Sequence, residues 1–151
     1  MATEHHTLML HELQETGAER HLIVPRLLAG LPLLGIGLLH VFDGSAPMEP
    51  LVEAAGFPAP DLLSPVAVAL EIIAGAMLLL GLFARLGAVL AVPVMAGAVY
   101  AHLAIGDWPN GAENEPPIVL PIAVIAGAAY VFWRGAGRWS LDRPISRSMR
   151  Q

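Results

Sequence analysis

The sequence predicts an all-α membrane protein: a four-transmembrane-helix antiparallel bundle with both termini in the cytoplasm. Three observations carry that prediction. Hydrophobic residues make up 56% of the 151, and only 14% are charged. Glycine raises the apolar share to about two thirds, against roughly 45–50% for soluble chains counted the same way. A domain this small has too much surface to cover with so little polarity, so the expected solvent is a bilayer. The second observation is four apolar stretches of near membrane-spanning length. The third is the placement of the eight positive charges, all of them arginine.

The spans are read as residues 22–42, 62–83, 86–105 and 118–133, each close to the ~20 residues that cross a hydrocarbon core about 30 Å thick. Span one carries one charge, Arg26, and span two one, Glu71. Span three holds no charged residue but contains His102. Span four is expected to begin slightly early, among Glu115–Pro117. Backbone facing lipid must satisfy its own hydrogen bonds, which selects helices, and nothing alternates as barrel strands do. Residues 43–61, with Pro47, Pro50, Pro58 and Pro60, read as an irregular loop. Ala84-Arg85 reads as a tight hairpin, and 106–117 (GDWPNGAENEPP) as a turn-rich connection. Trp108, Phe132, Trp133 and Trp139 stand near span ends, where amphipathic aromatics favour the interface.

Orientation follows from the arginines. Arg20, Arg26, Arg85, Arg134, Arg138, Arg143, Arg147 and Arg150 all fall on one side of a four-span chain, which the positive-inside rule places in the cytoplasm. Residues 1–21 then form a cytoplasmic lead-in, 22–133 the membrane domain and 134–151 a basic cytoplasmic tail. Span one is read as retained rather than as a signal sequence, because the residues before it are acidic and no A-x-A-like site follows. His5, His6 and His11 in the lead-in allow weak metal binding or, as we read them, a polar or interfacial segment. The formal charge of −5 argues against a nucleic-acid partner, and the lack of cysteine removes disulfides, thiolate metal sites and thiol redox chemistry.

Helices in lipid approach one another through small residues. Gly87/Ala91, Gly97/Ala101 and Ala123/Gly127 are such pairs. Arg26, Gly30, Leu33, Gly37 and His40, spaced 4, 3, 4 and 3, form one stripe of span one. Glu71 is flanked at helical spacing by Ala67, Val68, Ala74 and Gly75, and His102 continues a stripe of Ala88, Ala91, Met95 and Ala98. The intramembrane polar residues are therefore expected to face the interior. At about 1.5 Å per residue, Arg26 lies about 6 Å from the cytoplasmic end, Glu71 about 18 Å, His102 about 24 Å and His40 about 27 Å. Glu71 is thus nearer in height to the two histidines than to Arg26, and its side chain can bridge the gap of several Å to either, while Arg26 is expected to snorkel to the near surface.

A lone carboxylate at the midplane costs about 2.5–3.5 kcal/mol even on lenient insertion scales, which makes Glu71 the most informative residue. With His102 and His40 it forms the candidate catalytic set. Glu71 can accept protons, hydrogen-bond a quinone or glue helices together. A two-histidine, one-carboxylate metal site is the remaining composition-level option, but the histidines lack local ligand spacing, and no metal site is assigned. Arg26, Arg85, Arg138, Trp139 and Asp142 are read as structural or anchoring residues: Arg138 either stays with lipid phosphates or pairs with Asp142. No G-x-G-x-x-G follows a strand and no cysteine can hold an iron–sulfur cluster, so electrons would come from a partner subunit.

Several segments together resemble the DoxX family of small bacterial inner-membrane proteins over roughly residues 24–143. They are Arg26-Leu27-Leu28-Ala29-Gly30, Glu71 followed by GAMLLLGLFARLGA (75–88), His102, Asn110-Gly111-Ala112-Glu113 and GAGRWSLD (135–142). The sequence departs from the family at Val41, where relatives often have glycine, and at Trp139, where tyrosine is frequent. The resemblance implies a four-helix membrane bundle. It also implies a membrane subunit of a redox assembly, quinone-linked or tied to oxidative stress, with a soluble oxidoreductase partner. The alternative is a non-catalytic anchor in which Glu71 is a buried structural group. In GAGRWSLD, Gly135 and Gly137 are expected to let the chain leave the helix.

Overall fold

Small side chains sit inside this protein and large ones outside, the reverse of a water-soluble core. A computed structural model describes residues 20–42, 48–106 and 116–142. Its buried centre is made of Ala29, Ala74, Ala84, Ala88, Ala91 and Ala128, with Leu33, Leu78, Val124 and Val131 filling between them. Leu28, Leu31, Leu62, Val119 and Ile122 are each at least half exposed. A contiguous apolar exterior of this extent is a surface made for lipid.

Among the described residues there are five helices and no strand: α1 (Ile23–Phe42), α2 (Met48–Ala54), α3 (Pro60–Leu80), α4 (Ala84–Ile105) and α5 (Val119–Arg134). Helices α1, α3 and α4 are long and apolar enough to cross a membrane, and α5 is a shorter apolar helix of 16 residues. At 1.5 Å per residue, α5 is about 24 Å long. The four pack as a ring, α1 on α3, α3 on α4, α4 on α5 and α5 on α1, and α2 lies against α3 and α4.

The close approaches fall where glycine permits them. A Cβ on Gly75 would stand 2.5 Å from the Leu34 amide nitrogen, so α3 presses directly on the backbone of α1. Gly37 meets Ile72 and Glu71 in the same way, and Gly30 meets Leu79. On the other side, Gly127 of α5 sits 3.0 Å, measured from its missing Cβ, from the Pro25 carbonyl. The α1 stripe is as expected, with Arg26, Gly30, Leu33 and Gly37 buried and His40 half-buried at its end.

Four local expectations are corrected. The α3–α4 turn is Gly81–Phe83, and Ala84-Arg85 form the first turn of α4. Gly81 takes the left-handed conformation (φ 64°), with its N–H on Leu78 and the Leu82 N–H on Met77, a Schellman ending that stops α3 three residues early. The 43–61 connection contains α2. Its Pro50 falls in the first helical turn, where no N–H is needed, and burial of Val52 against the neighbouring helices holds this short segment. Helix α5 begins at Val119, leaving Pro116 and Pro117 outside it. Ala123 is exposed and Gly97 half-buried, so only Gly87/Ala91 packs as a pair of small residues. Readings placed on His5, His6, His11, Trp108, Asn110–Glu113, Arg143, Arg147 and Arg150 lie outside the described residues.

Candidate functional site

The polar interior is divided between the two ends of the helix ring. At the end holding the α3–α4 turn, Arg26 is 3% exposed and does not reach the surface, contrary to the snorkelling expectation. Its Nε donates to the Leu78 carbonyl at 2.8 Å and its Nη2 to Leu79 at 2.6 Å, satisfying the open C-terminal carbonyls of α3. Its Nη1 donates to Ala136 at 3.0 Å and Trp139 at 2.6 Å, both in the segment that follows α5. The planar fork of guanidinium donors explains why this position is arginine: one side chain reaches carbonyls on two separate segments. The positive charge also stands at the negative end of the α3 dipole.

Asp142 completes this end. It is fully buried and accepts the N–H of Phe83 at 2.7 Å and of Ala84 at 3.2 Å, capping the N-terminus of α4. Phe83 is a non-glycine residue at φ 48°, a conformation this cap helps to hold. Burial pushes the Asp142 carboxyl above its ordinary range, against the opposing pull of the two amides and the Arg26 guanidinium. Main-chain bonds from Leu141 to Leu80 and from Asp142 to Gly81 lay the GAGRWSLD segment along the turn. Gly135 (φ 80°) and Gly137 (φ 81°) provide the departure from α5 that the sequence led us to expect. Arg138 and Trp139 have exposed side chains, and Arg85 is half-buried. The Asp142 side chain is directed at the α4 N-terminus, with Arg26 rather than Arg138 as its nearby charge. Three stretches read separately in the sequence therefore meet in one lock: the start of α1, the GLFA turn and GAGRWSLD.

The other end holds a cavity of about 270 Å³. Glu71, His40 and His102 all line it, as their levels along the helices predict. Apolar side chains make up most of the remaining wall, from Ile36 on α1, Val52 on α2, Leu70 on α3, Val94 on α4 and Leu120 on α5. Glu71 is 3% exposed and His102 5%. The His102 Nδ1 lies 2.8 Å from the Ala98 carbonyl and its Nε2 2.9 Å from the Pro116 carbonyl. Both ring nitrogens thus face main-chain oxygens, which ties the end of α4 to the residues leading into α5. Among the described residues, no group of three or more His, Cys, Asp or Glu gathers as a metal-ligand set. Tyr100 does not line the cavity, but its ring meets Phe57, which does, edge to face at 5.0 Å.

The sequence reading placed Arg26 and Asp142 among the structural residues but missed that they meet in one buried network. The available signal was the pairing of one buried-stripe arginine with an aspartate at the end of a specific C-terminal motif. Comparison with known proteins agrees with the membrane character of the helices. No solved structure matches the chain. An uncharacterised membrane protein of Mycobacterium tuberculosis is 29% identical over 129 residues, covering 81% of this chain and 79% of its own length. The DoxX family model matches residues 21–104, which takes in the start of α1, Glu71, the α3–α4 turn and His102. This chain is a membrane protein of the DoxX family.

Proposed function

We propose that this protein is the membrane subunit of a redox assembly and that its cavity holds the head group of a quinone or quinol. The observation that carries this reading is the composition of the cavity wall: apolar residues throughout, interrupted by Glu71, His40 and His102. Small-molecule sites are mostly apolar, with a few converging polar groups that orient the ligand. Reduction of a quinone requires protons inside an apolar site, and a carboxylate near imidazoles is suited to hold and deliver them. In this reading Glu71 carries the proton and hydrogen-bonds the ligand, His40 contributes at the outer edge, and His102 positions the α4–α5 side of the wall. Electrons come from a soluble oxidoreductase partner, as the family resemblance implies.

The same reading places α1, α3, α4 and α5 across the bacterial inner membrane, with α5 as the fourth span. The lock of Arg26 and Asp142 then lies at the cytoplasmic side, with both termini, because all eight arginines fall there under the positive-inside rule. The cavity opens in the outer half.

One observation favours the second reading, a non-catalytic anchor: both nitrogens of His102 are engaged with main-chain carbonyls, which is work enough for a structural residue. Titration of the purified protein with a short-chain quinone analogue separates the two. Saturable binding that is lost in Glu71→Leu supports the redox subunit. Absence of binding to the wild-type protein leaves the anchor.

A further inference from the structure

Resting on the reading of the cavity as a quinone site, the geometry points to a lateral slot between α3 and α4 through which the ligand's apolar tail passes into the bilayer while its ring stays beside Glu71. Two observations carry this: the size of the cavity and the direction in which it opens.

Size limits what fits inside. An engineered apolar cavity of about 150 Å³ accommodates a benzene molecule. The cavity here, about 270 Å³, is less than twice that. It takes one substituted ring and leaves no room for a long hydrocarbon chain. A tailed ligand must therefore project its chain out of the protein.

The wall shows where. On α3 the lining residues include Val66, Ala67, Leu70 and Glu71. At about 100° per residue, Leu70, Ala67 and Glu71 stand roughly 40°, 100° and 140° around the helix from Val66. Val66 is 46% exposed on the lipid-facing side and Glu71 is 3% exposed, so this single wall sweeps from the bilayer into the interior. Helix α4 matches it: Pro93 is exposed, Gly97 half-buried and His102 buried, and all three line the same cavity. Val66 and Pro93 are the exposed lining residues on helices long enough to span a membrane, and they lie on the two neighbouring helices of one gap.

Sequence accounts for the gap. Pro93 lacks the N–H that would bond to Val89, which weakens the helical ladder at the level of the slot. Gly97 withholds a side chain where one would fill the space: the nearest atom to its missing Cβ is Cζ of Phe57, 3.9 Å away. Phe57, whose ring meets Tyr100, and Val52 of α2 line the same cavity beside Gly97. The exposed flanks at Val66 and Pro93 make the slot the opening toward lipid.

The test uses the full chain in nanodiscs and two probes with the same ring, a benzoquinone carrying a decyl tail and one carrying methyl groups alone. Val66→Trp fills the mouth. Ile73→Trp places the same side chain on the same lipid-facing side of α3, two turns away and outside the cavity. We expect Val66→Trp to weaken the decyl probe at least tenfold and the tail-less ring less than threefold, with Ile73→Trp leaving both unchanged. Val66→Phe, with less added volume, should show an intermediate loss and serves if the tryptophan variant is not monodisperse. Equal weakening of both probes, or full retention of decyl binding in Val66→Trp, overturns the slot while leaving the quinone site standing. No binding of either probe to the wild-type protein overturns the site and the slot together.

Discussion

Replacement of Arg26 provides the sharpest perturbation of the fold. Its guanidinium donates to four main-chain carbonyls, Leu78, Leu79, Ala136 and Trp139, at 2.6–3.0 Å, and sits 3% exposed beside the Asp142 carboxyl. Arg26→Met fills similar volume but removes every donor. The four carbonyls lose their partner and the buried carboxyl loses its counter-charge. Individual hydrogen bonds to charged groups contribute about 1.5–3 kcal/mol, and they do not add when one group makes several. Removing one side of a buried charged network costs about 3–5 kcal/mol, which is the more suitable scale here. For a chain of this size that corresponds to a fall in melting temperature of about 6–20 °C. Arg26→Lys keeps the charge but offers a single ammonium, which cannot span carbonyls on both segments, so it should fall between wild type and Arg26→Met. The assay is thermal unfolding in nanodiscs followed by intrinsic tryptophan fluorescence. An Arg26→Met protein within about 1 kcal/mol of wild type would refute the lock.

Other predictions test separate parts of the structure. Gly75→Ala should destabilise by about 1–3 kcal/mol, because its Cβ would lie 2.5 Å from the Leu34 backbone. Gly35→Ala, with nothing within 4 Å, should be neutral or stabilise by up to about 1 kcal/mol through helix propensity; thermal unfolding of both variants decides it. Asp142 binds its proton more tightly in the folded state, so its contribution to stability is greatest at low pH and is lost as pH rises through its raised folded pKa. The difference between wild-type and Asp142→Asn melting curves should therefore change between about pH 4 and the point where the folded carboxyl ionises, then stay flat; a difference independent of pH would contradict the burial of that group. Single cysteines at Ser45 and Asn110 should react with an impermeant thiol reagent from outside the cell and one at Gln151 should not. The chain has no native cysteine to confuse the result.

Much of this architecture was legible because the bilayer simplifies the code. The 4-3-4-3 spacing from Arg26 to His40 marks one helix face whether or not its partner is known, and α3 presses on it. Rise per residue alone was enough to bring Glu71, His40 and His102 within about 9 Å of one another in height, and one cavity joins them. What stayed illegible depended on tertiary partners. Position along the helix favours snorkelling of Arg26, whereas carbonyls at the end of α3 and beyond α5, distant in sequence, offer a better environment. Helix α2 was hidden by the prolines around it, since its stability comes from burying Val52 against other helices rather than from its own seven residues. The pair Ala123/Gly127 shows the limit of motif spacing: Gly127 packs on α1, but Ala123 faces outward.

The interior divides into a structural end built on Arg26 and, in the function proposed above, a ligand end built on Glu71. The most direct test measures thermal stability and quinone-analogue affinity on the same nanodisc preparation of Glu71→Gln. An amide keeps the shape of the side chain but cannot take up a proton and carries no charge. We expect a melting temperature within about 2 °C of wild type together with at least tenfold weaker binding. Loss of stability in step with binding, or unchanged binding, would contradict the proposed ligand role and make Glu71 a structural strut.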